Sequence, residues 1–372
     1  MWLYFIILMF IVQVFSDGSS KVRVMTYNIR TASEWARLSG GDLRNMRTWD
    51  RRIKSVARTI MIAKPHVIGI QEGLGTQLDE LENILSGEYK QYKGMGRLGG
   101  LQHDDDNEFV SLFYDAHVLD HMKGGTFWLS EKPSRKGSTS WQSSLPRCAT
   151  WSIFRDRRTL NNFAVINTHF DHQSEIARAN SAALLRMKVE SVEKMCGGCP
   201  VFLVGDFNAP KDERWHRLLT IQDPNTLKTS NLKHDDMDIS VVRNFTNSRL
   251  HFVDAWEVAS TKSCGACGQS TYHAWRGSQV SNHLWLPFDS KPRHEEIALS
   301  GQRHVDAVLV ASRSRGDVIV LKAKMLTDDR RIRYLGGPFA SDHYPVYVSV
   351  QISREKSSNV SIKSSVGDRM EL

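Results

Sequence analysis

Residues Val201 to Pro210 read VFLVGDFNAP. Four apolar residues lead into Gly205, Asp206 and Asn208 follow two positions apart, and Pro210 closes the run. A short continuous apolar stretch of this kind predicts a buried strand. In an extended chain residues i and i+2 point to the same side, so a carboxylate and an amide stand together where the strand leaves the core. Alone, the pair reads equally well as a turn or as a site.

The same form recurs to either side. KVRVMTYNIR alternates Val22 and Val24 with charged neighbours, then turns polar at Thr26-Tyr27-Asn28. HVIGIQE is a short apolar run ending at Glu72, FAVINTHFD carries His169 near its end, and HVDAVLV holds Asp306. Asp342 and His343 precede PVYVSVQI, in which Val346, Val348, Val350 and Ile352 alternate, and EFVSLFYD starts a further strand at Glu108.

Helical spacing is found at Trp49 to Ala63, where Ile53, Val56, Ala57, Ile60 and Met61 share a face and Pro65 closes the segment. A second helix is marked by Leu78, Leu81, Ile84 and Leu85. A third runs from Ile176 to Met195, with Ile176, Ala179, Ala183 and Met187 on a face and Cys196-Gly-Gly stopping it. Between Trp215 and Arg303 the periodicity fails, which predicts long loops with little regular structure. Strands outnumber what one parallel sheet with helical crossovers needs, and several follow each other directly. This favours two packed sheets flanked by helices in a single domain over residues 17–352.

At 372 residues the chain can bury a large core. WLYFIILMFIVQVF, from Trp2 to Phe15, is too short to span a bilayer comfortably and is followed by Ser16-Asp17-Gly18, so residues 1–16 read as a secretory signal. Secretion would make Asn244-Phe-Thr and Asn359-Val-Ser glycosylation acceptors. It also favours disulfides over a four-thiolate zinc site for Cys196-Gly-Gly-Cys199 and Cys264-Gly-Ala-Cys267, with the connectivity left open. Cys148 sits in an apolar run and reads as a buried thiol. The tail, residues 353–372, is rich in Ser and charge and reads as disordered. The net charge of +8 suits an anionic partner, although no polybasic tract marks a dedicated binding arm.

Nearly every predicted strand thus terminates in a group able to bind metal or phosphate: Asn28, Glu72, His169, Asp206 with Asn208, Asp306, and Asp342-His343. One such residue is an ordinary cap or turn; the ordered set is not. TYN, QE, TH, GDFN, VDAV and SDH, in this order, resemble the motifs of the endonuclease/exonuclease/phosphatase superfamily, from Lys21 to Ile352. That superfamily includes DNase I-like nucleases, neutral sphingomyelinases, inositol-polyphosphate phosphatases and deadenylases. The blocks GTFWLSEKP (Gly125 to Pro133) and SLPRCATW (Ser144 to Trp151) resemble a group of often secreted hydrolases within it and point to no particular substrate.

The resemblance implies a four-layer α/β sandwich with two packed mixed β-sheets flanked by helices, and metal-dependent hydrolysis of phosphate esters. That chemistry needs neutralised non-bridging oxygens, an activated water and a stabilised leaving oxygen. A hard ion, Mg²⁺ or alternatively Mn²⁺, suits one or two carboxylates plus waters. By resemblance Glu72 is the first metal ligand, with Asp342 the second candidate and Asn28 an amide ligand or orienter. Asp306 and His343 form an acid/base pair in which the carboxylate fixes the imidazole tautomer. Asp206 is expected to orient or deprotonate the attacking water, Asn208 to donate its amide to a phosphate oxygen, and His169 to bind phosphate or protonate the leaving group. Glu108 matches a family glutamate that supports that histidine.

Arg97 and Arg147 read as phosphate clamps or as ordinary salt-bridging arginines. Asp104-Asp105-Asp106 lacks the Gly and terminal Glu of an EF-hand loop and reads as a solvated turn. Trp128, Trp141, Trp151, Trp275 and Trp285 suit base stacking, lipid insertion or core packing alike. The functional expectation is a secreted phosphoesterase, first a nuclease-type phosphodiesterase acting on nucleic acid. The alternatives are a sphingomyelinase-like enzyme acting on membrane lipid, for which HLWLPF (His283 to Phe288) is the candidate contact, and an inositol- or sugar-phosphate phosphoesterase. Below these stands a binding protein that keeps the fold without catalysis.

Overall fold

The computed structural model describes residues 18–100, 106–222, 250–264, 271–272, 275, 304–314, 316–326 and 340–353. The leader, both glycosylation acceptors, Asp104, Asp105, Cys267, HLWLPF and the tail beyond Ser353 lie outside these residues.

Two mixed sheets form the centre. The first has seven strands: β1 (Ser20–Asn28), β2 (Val67–Gly73), β3 (Tyr89–Tyr92), β4 (Phe109–Asp115), β10 (Thr261–Cys264), β12 (Val318–Met325) and β13 (Val346–Ile352), in the order β10-β12-β13-β1-β2-β4-β3. The second has six: β5 (Leu119–Trp128), β6 (Cys148–Asp156), β7 (Asn162–His169), β8 (Val201–Asp206), β9 (His251–Asp254) and β11 (Asp306–Ser312), in the order β5-β6-β7-β8-β11-β9. The described helices are α1 (Glu34–Arg37), α2 (Trp49–Ala63), α3 (Gly75–Leu85), α4 (Glu175–Met195), α5 (Arg214–Thr220) and α6 (Ala255–Val258).

Strand alternation sorts the core into layers. Val22, Val24, Phe163, Val165, Phe202, Val204, Val308, Val310 and Val348 meet between the sheets. Their neighbours on the same strands face outward: Met25 and Tyr27 pack with Ile53, Val56 and Ile60 of α2 and Leu78 and Leu81 of α3, and Ile166, Leu203 and Leu309 pack with α4 and α5. Because side chains alternate with period two, each central strand serves two apolar layers, which explains the continuous apolar runs. The result is helix, sheet, sheet, helix.

The helix at Trp49–Ala63 has the expected bounds, but Met61 is 48% exposed and so leaves its face; in α3, Ile84 is 45% exposed. Ser174 caps α4, its hydroxyl accepting from Ala177 N at 3.0 Å. The expectation of loops between Trp215 and Arg303 is corrected in part, since α5, β9, α6 and β10 fall there. These elements run for only 4 to 7 residues, too short to show a period. Cys196 and Cys199 are joined to each other as a disulfide, which takes both thiols away from a four-thiolate zinc site, and Cys148 is buried.

Pairing brings the polar strand ends to one edge of the sandwich. β1 and β2 are parallel with Asn28 opposite Gln71; β7 and β8 are parallel with His169 opposite Asp206; antiparallel β11 sets Asp306 opposite Asp206. Beneath that edge two buried amides tie the sheets together. Gln71 Nε2 donates to Asn167 Oδ1 at 2.6 Å, and Asn167 Nδ2 donates to the carbonyls of Ile70 and Ser111, each at 2.8 Å. A Cβ at Gly69 would stand 2.8 Å from Asn167 and 2.6 Å from Val204, so only glycine leaves room for this tie.

Candidate active site

Glu72 is turned into the site by its backbone. It has φ of 62° and sits where the β2–β4 register shifts between Ile70 and Gly73. A bulge of this sort re-aims one side chain, and left-handed backbone at a non-glycine residue concentrates at functional sites. Arg30 (φ 62°) and Asn208 (φ 52°) share that conformation around the same centre.

Asn28 links the two carboxylates there. Its Nδ2 donates to Glu72 Oε1 and to Asp206 Oδ2, both at 2.9 Å, while its oxygen accepts from Arg30 N. Glu72 Oε2 accepts from Thr31 N at 2.9 Å, and Asp206 Oδ1 from Asn208 N at 2.8 Å. Asp306 Oδ2 lies 2.9 Å from His343 Nδ1, and His343 Nε2 is 3.7 Å from Asp206 Oδ2. Ligand atoms of Glu72, Asp206 and His343 all lie within 4.8 Å of one another.

The electrostatics assign protons. Burial alone would depress His343, but Asp306 and Asp206 override it and push the imidazole up to about 10. His343 is therefore an imidazolium that donates at Nδ1 to Asp306 and faces Asp206 with Nε2. Burial raises Asp206, reinforced by Asp306, to about 7, so its carboxylate titrates near neutrality. Burial opposes the ionised form of Glu72, yet Arg30 together with its two hydrogen bonds holds its pKa well below the usual range.

His169 is held in one tautomer. Burial, then Arg147, keep it neutral. Its Nε2 meets Asn208 Nδ2 at 2.8 Å, and an amide NH₂ can only donate there, so the ring proton is on Nδ1. Asn208 Nδ2 also donates to Phe170 O at 2.9 Å. Both amide hydrogens are thus engaged, and Asn208 in this arrangement orients His169 instead of reaching for a phosphate oxygen. His169 in turn offers no proton at Nε2 to a leaving group.

The other expected members stand at the rim. Asp342 lies outside the Glu72–Asp206–His343 group, with Oδ2 3.8 Å from Arg30 Nε, which is also 3.6 Å from Asp42. Glu108 pairs with Arg97 at 3.0 Å. With Arg147 and His169 these two line a cavity of about 10 Å³, room for one water. Arg147 reaches His172 Nδ1 at 3.1 Å, and its Nε is buried with no hydrogen-bond partner among the described residues. Trp128 is core, and Trp275 lies under the guanidinium groups of Arg47 and Arg52.

Three contributors were not singled out from sequence. Arg30 follows TYNI directly, and its charge next to that motif was the available signal. Arg52, buried in α2, donates to the carbonyls of Ile29, Arg30 and Ala340 and so braces the rim. Tyr272 lays its ring against His343 with centroids 4.9 Å apart, from a segment without periodicity.

A second group of potential ligands, His216, Asp254 and Glu257, has a different character. Lys211 Nζ lies 2.6 Å from Asp254 Oδ2, and both side chains are almost fully buried. His216 Nε2 approaches the same oxygen at 3.0 Å. Here the chain supplies its own cation. By contrast, Glu72 and Asp206 form no ion pair with lysine or arginine among the described residues. Two oxygen donors held side by side, one firmly ionised, fit a hard divalent ion; a protonated His343 does not ligate and instead faces the oxygens as a donor.

The sequence profile described as the Endonuclease/Exonuclease/phosphatase family matches residues 25–343. Among solved structures the chain is similar to an endonuclease/exonuclease/phosphatase family protein from Bacteroides thetaiotaomicron, with 22% identity, TM-score 0.66, and coverage of 90% of this chain and 96% of that one. It is also similar to a mannosyl-6-phosphatase from the same bacterium, with 22% identity, TM-score 0.65, and coverage of 88% and 99%. A third is ANGEL2, a 2',3'-cyclic phosphatase in complex with adenosine-2',3'-vanadate, with 13% identity, TM-score 0.59, and coverage of 91% and 97%. No curated protein sequence matches the chain.

Proposed function

The chain belongs to the endonuclease/exonuclease/phosphatase family, and from that premise we propose that it is a divalent-metal-dependent hydrolase of phosphate esters. One observation carries the reading: an ionised Glu72 and a near-neutral Asp206 share the Asn28 amide, beside the Asp306–His343 pair. Glu72 and Asp206 would hold the ion, with Asp342 the further carboxylate at the rim. When bound, Mg²⁺ or Mn²⁺ supplies charge neutralisation for the phosphoryl oxygens.

The residues of the chain do the rest. Asp206 would orient the attacking water from its place beside the ion. Asp306 holds the His343 imidazolium, whose Nε2–H is available to a non-bridging phosphoryl oxygen. Arg147, whose Nε has no hydrogen-bond partner among the described residues, would clamp the phosphate, since Arg97 is already paired to Glu108. Asn28, Asn208 and His169 orient these groups.

For the substrate, the charge of +8 favours a phosphodiester polyanion, and the protein is read first as a nuclease-type phosphodiesterase. A sugar-phosphate monoester is the second reading, supported by the likeness to mannosyl-6-phosphatase. The apolar leader supports export, testable by sequencing the N-terminus of the protein recovered from the medium of a secreting host. The activity test offers purified protein, with and without EDTA, to plasmid DNA, RNA, sphingomyelin vesicles and sugar phosphates. We expect turnover that EDTA abolishes and that Glu72→Ala and His343→Ala both lose. Full activity in both variants would refute the site, and no turnover of any substrate would move the reading to the binding protein.

A further inference from the structure

Asp306 opens a strand of the six-stranded sheet, whereas His343 precedes a strand of the seven-stranded one. Their 2.9 Å hydrogen bond therefore spans two sheets with no ladder between β11 and β13. Its length depends on how the sheets are fastened at this edge. Thr271, fully buried, lies at that fastening. Its hydroxyl oxygen accepts from two successive backbone N–H groups, Val305 and Asp306, each at 3.0 Å. Its own carbonyl accepts from the N–H of Tyr344, next to His343, at 2.7 Å. Tyr272 continues the contact as an antiparallel bridge to His343.

We infer that Thr271 is a positioning residue, a latch that sets the distance between Asp306 and His343 by binding the backbone of Asp306 and of Tyr344, the residue after His343. The inference rests on the reading of that pair as catalytic. A threonine hydroxyl oxygen has two lone pairs, and both are taken by the N–H groups of the Asp306 strand. Valine has the same shape and no acceptor, so Thr271→Val leaves two buried N–H groups unpaired and frees the strand end to shift. Thr271→Ser loses only the methyl and keeps the oxygen.

The experiment compares wild type, Thr271→Val, Thr271→Ser and His343→Ala with Mg²⁺ and bis-p-nitrophenyl phosphate as the probe. Thermal melts establish that each is folded. Misplacement of a catalytic group by an ångström costs up to about 10²-fold, and we expect a loss approaching that in kcat for Thr271→Val, with KM little changed and Thr271→Ser close to wild type. A residue that merely stabilises the fold would lower Tm without moving kcat of the folded enzyme. In parallel, ¹⁵N-histidine-labelled protein is examined for the downfield Nδ1–H proton of His343, assigned by its absence in His343→Ala. The latch predicts that this signal is lost or broadened in Thr271→Val and kept in Thr271→Ser. An unchanged signal in Thr271→Val, or an unchanged kcat, overturns the latch. If wild type does not turn over the probe, the catalytic reading fails by itself and the proton signal still decides whether Thr271 holds the pair.

Discussion

Two buried clusters in this protein place a histidine among carboxylates, and they differ in who supplies the positive charge. Around Asp254 the charge is built in: Lys211 sits 2.6 Å away, and together with His216 it holds the carboxylate well below its ordinary pKa against burial. Around Glu72 and Asp206 the nearest partners are an amide, backbone N–H groups and histidines. The first cluster carries a lysine in contact with its carboxylate, and the second, on the proposed reading, takes a divalent ion there. Burial of acidic groups is common to both, so burial alone does not mark the site; the unmatched charge does.

The largest effect expected from breaking this contrast is on turnover. Glu72→Gln removes the firmly ionised donor, and metal-assisted charge stabilisation of several kcal/mol corresponds to about 10³-fold in rate. His343→Ala should lose about 10² to 10⁴. Steady-state rates on the best substrate found check both, and near-normal rates in Glu72→Gln would erase the distinction between the clusters.

Next in size is an effect on stability. Lys211→Met orphans a buried Asp254, and breaking one side of a buried pair costs about 3–5 kcal/mol. Urea unfolding should show that loss, while the rate per folded molecule stays within a few-fold of wild type. Abolished activity with unchanged stability would mean that Lys211 belongs to the chemistry.

Opposite pH dependences sharpen the comparison. His343 is raised from 6.5 to about 10, burial notwithstanding, by Asp306 and Asp206. Its stabilising contribution is complete below about pH 6.5 and fades as pH rises through 10. His304 beside the second cluster is lowered from 6.5 to about 3, first by burial and then by Lys211. It contributes above pH 6.5 and that contribution is lost as pH falls toward 3. Melting curves in EDTA should therefore lose their alkaline slope in His343→Gln and part of their acid slope in His304→Gln. Identical profiles for both variants would contradict the assignment.

The smallest effect is assigned to Asp342. It lies outside the donor group, its Oδ2 3.8 Å from Arg30 Nε and so beyond hydrogen-bond range. Asp342→Asn should slow turnover by roughly fivefold. A loss as deep as that of Glu72→Gln would place Asp342 among the principal donors.

Much of the frame could be read from residues because its signals are local. Buried strands write themselves as apolar runs, and VFLVGD, HVIGIQ and FAVINTH each betray both the strand and the polar end where it stops. Convergence of those ends on one edge needed the ordered motifs and their family resemblance. What stayed hidden is decided by long-range partners. Lys211 finds Asp254 through a four-residue strand with no period of its own, and nothing in either stretch announces the pair. Glu108, matched to a family glutamate that supports His169, lines one small cavity with it and is also paired to Arg97, a partner that no spacing announces. Likewise the roles of Asn208 and His169 turned on where single hydrogens point, which no spacing encodes.

The most direct test is Mn²⁺ binding followed by electron paramagnetic resonance in wild type, Glu72→Gln and Glu257→Gln. Binding in wild type and Glu257→Gln, with at least a tenfold weaker affinity in Glu72→Gln, about 1.4 kcal/mol, is the predicted result. Undiminished binding in Glu72→Gln, or loss in Glu257→Gln, would show that the cation goes elsewhere and contradict the account.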